Sequence, residues 1–205
     1  MDAELGPYLR AGGRVAVVSR HRSLVDAVLP ENRAGAAKLA KALVALGHRE
    51  FAALTGPPEL TTVADRLAGF RDGLAEAGIG LGRVVRGAFT REGGHDAARR
   101  LLAAGGPRPT CLFAVTDVMA VGALAALREA GMRVPEDMSL AGFDDIPLVR
   151  ELSPPLSTVA LPLTAMGEHV IALALRTPSG AGRSRVVRVD GEVVLRGSTG
   201  APPGS

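Results

Sequence analysis

The sequence predicts an α/β fold built on parallel β-sheets. Short apolar runs alternate with amphipathic segments of about a dozen residues, which is the pattern of βαβ units. Glycines that stop a helix follow several of these segments directly, as at Gly47, Gly78 and Gly131. Because right-handed crossovers bring the carboxyl ends of parallel strands to one side, the loops after the strands are expected to converge on a ligand cleft.

The individual elements follow from the spacing of apolar residues. Strands are predicted where short apolar runs lie between turn residues, at residues 15–18, 51–54, 84–89, 110–115 and 139–143, with one or two late strands within 185–195. Helices are predicted where apolar residues recur at helical spacing, at residues 34–46, 64–77, 94–104, 118–130 and 163–176. Proline pairs at Pro57-Pro58 and Pro154-Pro155 require extended, non-helical segments.

Composition bounds the class of protein. The 205 residues suffice for one ordinary domain or two small lobes, and 47% of them are hydrophobic. A net charge of +3 is too small to indicate nucleic-acid binding by itself. The single cysteine excludes an internal disulfide. No apolar run approaches 18 residues and the N-terminus lacks the apolar core of a signal peptide, so we expect a cytoplasmic protein without a membrane partner.

Motifs of enzyme chemistry are missing from the sequence. It contains no G-x-S-x-G, no P-loop and no G-x-G-x-x-G. The four histidines are isolated from one another, and their spacing does not indicate a metal site. We therefore expect neither an enzyme nor a cofactor.

Several motifs in a fixed order resemble the effector-binding core of the LacI/GalR family of bacterial transcriptional regulators. They include "ENRAGAAKLAKAL", "FTREGGHDAARRLL", "CLFAVTDVMAVGAL", "MSLAGFDDIPLVRELSPPLSTV" and "EVVLRGST". The resemblance covers roughly residues 14–199. It implies a type I periplasmic-binding-protein-like fold, in which two Rossmann-like lobes with parallel sheets enclose a small effector.

The resemblance also implies a domain division. Residues 1–48 with 160–178 are expected to form an incomplete N-terminal lobe, residues 49–159 with 179–199 the C-terminal lobe, and residues 200–205 a disordered tail. Members of the family begin with a helix-turn-helix and two further βα units. We therefore expect this chain to be a fragment, the product of a misplaced start codon, or the product of a decayed gene.

The function that the resemblance implies is allosteric control of transcription. A small effector, such as a sugar, changes the arrangement of the lobes in a homodimer, and DNA is bound only through the helix-turn-helix that this chain lacks. The alternative is a stand-alone or transporter-associated sugar-binding protein of the same fold.

Two charged residues match the effector contacts of the family. Arg66 offers a planar fork of donors for hydroxyl, carboxylate or phosphate groups; otherwise it is an exposed arginine paired with Asp65 or Glu59. Asp144 follows the predicted strand 139–143 and accepts hydrogen bonds from hydroxyl groups; otherwise it belongs to a turn or caps a helix.

Five further residues complete the predicted effector site. Phe89 matches an aromatic that lies against the apolar face of a ligand, unless it packs in the core. Thr116 and Asp117 stand where the family shows Asn-Asp, so they contact the ligand or Asp117 caps the following helix. Thr62 lies in the loop before Arg66, and Arg20 follows the first strand.

Overall fold

The computed structural model describes residues 2–19, 25–176 and 184–204. Two compact units are present, the first formed by Met1–Glu31 with Pro162–Asp190 and the second by Asn32–Leu161 with Gly191–Ser205. In chain order the elements are α1 (Asp2–Arg10), β1 (Ala16–Val18), β2 (Asp26–Pro30), α2 (Asn32–Ala45), β3 (Phe51–Thr55), α3 (Thr61–Ala75), β4 (Arg83–Arg86), α4 (Arg91–Ala103), β5 (Cys111–Ala114), α5 (Asp117–Glu129), β6 (Ser139–Ala141), a 3₁₀ helix (Pro147–Arg150), β7 (Thr158–Ala160), α6 (Leu163–Leu175), β8 (Val186–Val189) and β9 (Glu192–Val194). The predicted α/β class with parallel sheets is confirmed.

The first unit is built on a three-stranded parallel sheet in the order β1-β2-β8, against which α6 packs. Asp26 at the start of β2 connects three parts of this unit, because its carboxylate accepts the backbone N–H of Arg185 at 2.7 Å and pairs with Arg176 at 3.3 Å. Part of α6 is apolar and uncovered within the unit, since Ile171 and Leu175 are exposed.

The second unit contains a four-stranded parallel sheet in the order β4-β3-β5-β6. Its helices pack in two close pairs, α2 with α3 and α4 with α5. Glycines permit this closeness: a Cβ atom at Gly69 would collide with the carbonyl oxygen of Arg33, and one at Gly122 with that of Arg91. Larger residues at either glycine would force the helices of the pair apart.

Aliphatic and phenylalanine side chains form the core of the second unit. Every residue of β3 and β5 is buried, as expected for central strands of a parallel sheet that is covered on both faces. Phe70 stacks on Phe113 with 4.4 Å between ring centroids and meets Phe51 edge to face at 5.9 Å. This rigid sheet fixes the positions of the loops that follow its strands.

An antiparallel pair, β7 with β9, completes the second unit. It follows the extended segment that Pro154 and Pro155 impose, as the sequence predicted. The last residue before the chain leaves this unit is Leu161, one position after β7.

The units divide at other residues than predicted. Residues 32–45 were expected in the N-terminal lobe with the rest of 1–48, but they form α2, which packs closely on α3 in the second unit. Residues 186–189 were expected in the C-terminal lobe, but they form β8, which pairs with β2 in the first unit. In both cases a long-range contact determines the unit to which the segment belongs, and the local sequence pattern does not indicate that contact.

The predicted disorder of residues 200–205 is wrong at Gly200. Its backbone N–H donates to Ser139 Oγ at 3.1 Å. Ser139 Oγ also bonds the ring of His48, which is buried. The start of the tail is therefore held against the amino ends of the sheet strands; Ser205 lies outside the described residues.

Candidate functional site

The segments that follow β3, β4, β5 and β6 carry six of the seven residues predicted for the site. These are Thr62 and Arg66 in α3, Phe89 after β4, Thr116 and Asp117 at the start of α5, and Asp144 after β6. All six belong to the second unit, so its parallel sheet places them at the carboxyl ends of neighbouring strands. Arg20, the seventh, lies outside the described residues.

Arg66 is the best-connected side chain of this group. Its guanidinium is 4% exposed and donates from Nε to Asn32 Oδ1 at 2.8 Å, from Nη1 to the carbonyl oxygen of Val115 at 2.8 Å, and from Nη2 to Asp144 Oδ1 at 2.7 Å. The guanidinium carbon also lies 3.9 Å from the centre of the Phe143 ring, a cation–π contact. The alternative of an exposed arginine in a helix is therefore wrong.

Asp144 presents a partly exposed carboxylate, with 21% of its side chain accessible. Oδ1 accepts from Arg66 and Oδ2 accepts from the hydroxyl of Thr116 at 2.7 Å. Its backbone is equally constrained, because its N–H donates to Val159 O at 2.9 Å and its carbonyl accepts from Leu161 N at 3.3 Å. Side-chain and backbone hydrogen bonds therefore fix the orientation of this carboxylate without a ligand.

The backbone after β6 adopts an unusual conformation. Asp144 has φ 121° and Asp145 has φ 57°, both in the region that side-chain-bearing residues seldom occupy. Asp145 is buried and pairs with Arg150 at 2.6 Å and with Arg196 at 2.7 Å. Such strain persists only where the surroundings determine it, and it concentrates at functional sites.

Asp117 lies fully buried beneath this turn. Its carboxylate accepts the Thr158 hydroxyl at 2.7 Å and the Ile146 N–H at 3.0 Å. Burial raises the pKa of Asp117 to about 6; the Thr158 hydrogen bond opposes that rise and the negative charge of Asp144 adds to it. The predicted helix cap is not what the side chain does, since its partners lie in the turn and in β7.

Thr116 precedes α5 as its N-cap residue, but its side chain makes no capping bond. It is 3% exposed, and its hydroxyl hydrogen is directed to Asp144. Thr116 therefore supports the carboxylate of Asp144 from the protein interior. Direct contact between an effector and either Thr116 or Asp117 stays a prediction, which their burial does not favour.

Phe89 and Thr62 are more accessible. Phe89 is 37% exposed and lies beside Gly56, where a Cβ atom would come within 2.8 Å of its ring. The alternative of a core phenylalanine is not supported. Thr62 is half-buried in the first turn of α3. Their contact with an effector remains a prediction.

Asn32 is a member of the cluster that the sequence did not single out for the site. Its side-chain oxygen accepts from Arg66, and the residue is buried. The partners are 34 positions apart and belong to different helices. No local pattern could have connected them; only the packing of α2 on α3 brings them together.

The cluster offers hydrogen-bond donors and acceptors to a polar ligand. Three of the five N–H groups of Arg66 are directed to protein acceptors, which leaves two donors beside the remaining lone pairs of Asp144. Arg66 and Asp144 together carry no net charge. Within the described part of the chain, no three metal-binding side chains gather into a site, and no helix is long and apolar enough to cross a membrane.

A family model, described as a periplasmic binding protein-like domain, matches residues 40–199. Among curated proteins, the ribose operon repressor of Haemophilus influenzae is 37% identical over 153 residues, which cover 74% of this chain and 46% of the repressor. The chain spans about half the length of the curated relatives it matches.

Solved structures agree with the fold. A LacI transcriptional regulator from a Rhodococcus species is 31% identical with a TM-score of 0.85, and the match covers 99% of this chain and 75% of that one. A LacI family regulator from Enterococcus faecium, solved with bound ribose, is 26% identical with a TM-score of 0.89, covering 98% and 76%.

Proposed function

We propose, from the premise that this chain belongs to the LacI family and carries its periplasmic-binding-protein-like domain, that it is the effector-sensing part of a transcriptional regulator. The observation that carries the proposal is the hydrogen-bonded cluster of Arg66, Asp144 and Thr116 at the carboxyl ends of the sheet strands. A preorganised pair of donors and acceptors at this edge is a binding arrangement, and the relatives are named as regulators rather than enzymes.

The effector class follows from the charge of the cluster. Arg66 is already neutralised by Asp144, so an anionic ligand would meet a carboxylate without a free cation in the pair. A neutral molecule with neighbouring hydroxyl groups can donate to the partly exposed carboxylate of Asp144, which Arg66 holds in place. The bound ribose of the Enterococcus faecium regulator is such a molecule, and we take D-ribose as the first candidate.

Regulation itself would belong to the assembled protein. We expect a cytoplasmic homodimer in which effector binding shifts the balance between two states of different affinity for DNA, with a helix-turn-helix supplying the DNA contact. Such coupling requires that the effector bind one state more tightly than the other. The named repressors among the relatives favour this function over that of a transporter component.

The test is a binding screen with a charge-matched design. Isothermal titration calorimetry would compare D-ribose, other neutral pentoses, hexoses and nucleosides, and D-ribose 5-phosphate as the anionic counterpart. We expect a neutral sugar to bind and the phosphate to bind more weakly. The proposed effector class would be overturned if D-ribose 5-phosphate bound more tightly than the neutral sugars. It would also be overturned if none of the neutral sugars bound.

Substitution of Asp144 then tests the site. Asp144→Asn removes a charged acceptor, and a hydrogen bond to a charged group contributes about 1.5–3 kcal/mol, so affinity should fall about 10- to 100-fold. Asp137→Asn is the matched control, because Asp137 bonds only Arg133 in an exposed turn among its described contacts. Equal affinity of both variants would exclude Asp144 from the site.

A further inference from the structure

Asp117 holds the backbone on both sides of Asp144. Its own N–H donates to the carbonyl oxygen of Phe143 at 2.8 Å, immediately before Asp144. Its carboxylate accepts the N–H of Ile146 at 3.0 Å, two residues after Asp144. A residue that only capped its helix would make none of these bonds to the turn.

The backbone hydrogen bonds between Asp144 and the end of β7 are also linked to Asp117. The backbone of Asp144 is bonded to Val159 and Leu161, which flank Ala160 at the end of β7. Thr158, in the same strand, is tied to Asp117 Oδ1 by its hydroxyl at 2.7 Å. The Val159 contact of Asp144 therefore lies one residue from Thr158, which is hydrogen-bonded to the Asp117 carboxylate.

Gly142 shows that the chain makes room for this carboxylate. A Cβ atom at Gly142 would collide with Asp117 Oδ1 and would approach Leu156 Cδ2 to 2.9 Å. Any other residue at 142 would push the carboxylate away from the turn. The close approach is a second, independent sign that the position of Asp117 matters to the loop after β6.

The ionised carboxylate of Asp117 is stabilised by hydrogen bonds and not by a cation among the charged side chains around the turn. The charged side chains of the turn and of the elements packed on it are Asp144, which pairs with Arg66 of α3, and Asp145, which pairs with Arg150 of the 3₁₀ helix and Arg196 after β9. Each cation is directed to one of the two other aspartates. A backbone N–H of the turn and the Thr158 hydroxyl are what stabilise the ionised Asp117.

We propose that ionised Asp117 is the positioning residue of the effector site, and that its protonation loosens the turn and lowers effector affinity in mild acid. Protonation turns one accepting oxygen into a donor, so the hydrogen bonds of Asp117 to the Ile146 N–H and to Thr158 must rearrange. The strained φ angles of Asp144 and Asp145 are then less well supported. The proposal of an acid-sensitive site rests on the proposed function; the positioning itself is a property of the free protein.

The first experiment needs no effector. NMR titration of the free chain would follow the backbone N–H of Ile146, which donates to the Asp117 carboxylate, and the Nη2 protons of Arg66, since Nη2 donates to Asp144 Oδ1. We expect both signals to move with one midpoint near pH 6. In Asp117→Asn, which mimics the neutral acid, both midpoints should vanish, whereas Asp137→Asn should leave them unchanged.

Two results would overturn the positioning role. One is an Arg66 signal that stays constant while Ile146 titrates, since Asp117 would then not act on the pair. The other is the absence of any Asp117-dependent midpoint between pH 5 and pH 7. Neither depends on whether a sugar binds, so failure here is distinguishable from failure of the proposed function.

The second experiment measures affinity against pH with D-ribose. With a pKa of about 6, the ionised fraction falls about tenfold between pH 7 and pH 5, and the apparent affinity should fall by the same factor. Asp117→Asn should bind weakly at both pH values without this dependence. A variant that keeps the wild-type pH profile would contradict the proposal. Loss of all D-ribose binding by the wild type would count against the proposed effector, and the free-protein titration would still decide the role of Asp117.

Discussion

Replacing Asp117 by Asn is expected to stabilise the second unit at neutral pH, although it damages the site. Folding raises the pKa of this carboxyl from 3.8 to about 6, so its contribution to stability is fully present below pH 3.8 and is lost as the pH rises through about 6. That rise corresponds to about 3 kcal/mol at pH 7. An asparagine stays neutral at every pH and does not incur this loss.

The amide recovers most but not all of the hydrogen bonds. Its oxygen can accept from the Ile146 N–H while its NH₂ donates to the Thr158 hydroxyl, which then accepts instead of donating. One imperfect bond costs about 1 kcal/mol. The net expectation is a gain of about 2 kcal/mol in the unfolding free energy of the second unit at pH 7.5, and little difference at pH 5.

Cys111 provides the assay, because it is the only cysteine and is fully buried in β5 of the second unit. Labelling of its thiol with a pyridyl disulfide, after equilibration in increasing urea, reports the unfolding of this unit alone. Asp137→Asn is the control of opposite sign: its partner Arg133 lowers the pKa of Asp137 to about 2, so the neutral variant should be no more stable than the wild type. An Asp117→Asn variant less stable than wild type at pH 7.5 would refute the reasoning.

Three further predictions concern neighbouring groups. Burial lowers the pKa of His48, so the contribution of His48 to stability is present above its unfolded pKa of about 6.5 and is lost as the pH falls through the lower folded value. His48→Gln should remove that loss, which urea titrations at pH 7.5 and pH 5 would measure. A pH dependence of stability equal to that of the wild type would contradict this prediction. Gly142→Ala should lower the unfolding free energy by about 1–3 kcal/mol through its collision with Asp117, and a stability equal to wild type would show that the turn can yield. Phe89→Ala should change stability by less than about 1 kcal/mol, since the ring is partly exposed, but should weaken sugar binding in calorimetry; unaltered affinity would remove Phe89 from the site.

Local pattern was sufficient for much of the second unit. The buried runs at Phe51–Thr55 and Cys111–Ala114 and the helices beside them follow from apolar spacing and glycine stops, because a central parallel strand must be apolar throughout. Arg66 and Asp144, the two charged residues that the family resemblance selected, lie 2.7 Å apart. Their contact did not follow from spacing, since the two residues are 78 positions apart.

Other features had no strong local signal. The strand β2 was overlooked because "DAVLP" begins with Asp and ends in Pro, both poor strand residues, and its membership depends on pairing with β1 and β8. The helix α1, which contains a glycine and Pro7, was likewise not predicted. The role of Asn32 depended on the contact between α2 and α3, which a sequence shows only once the fold is known.

The misreading of Asp117 follows from the same limit. An aspartate ahead of an apolar helical run is ordinarily a cap, because the first N–H groups of a helix need acceptors. Here the acceptor is directed away, to an N–H group of a turn whose φ angles at Asp144 and Asp145 are unfavourable. The buried carboxylate of Asp117, whose pKa is raised by burial, opposes folding, and so does the strained turn at Asp144 and Asp145. The two features nevertheless occur side by side at the carboxyl ends of the strands, where ligands bind in such sheets. Selection for stability alone would favour a neutral residue at position 117. The charge is therefore best explained by its role in positioning Asp144.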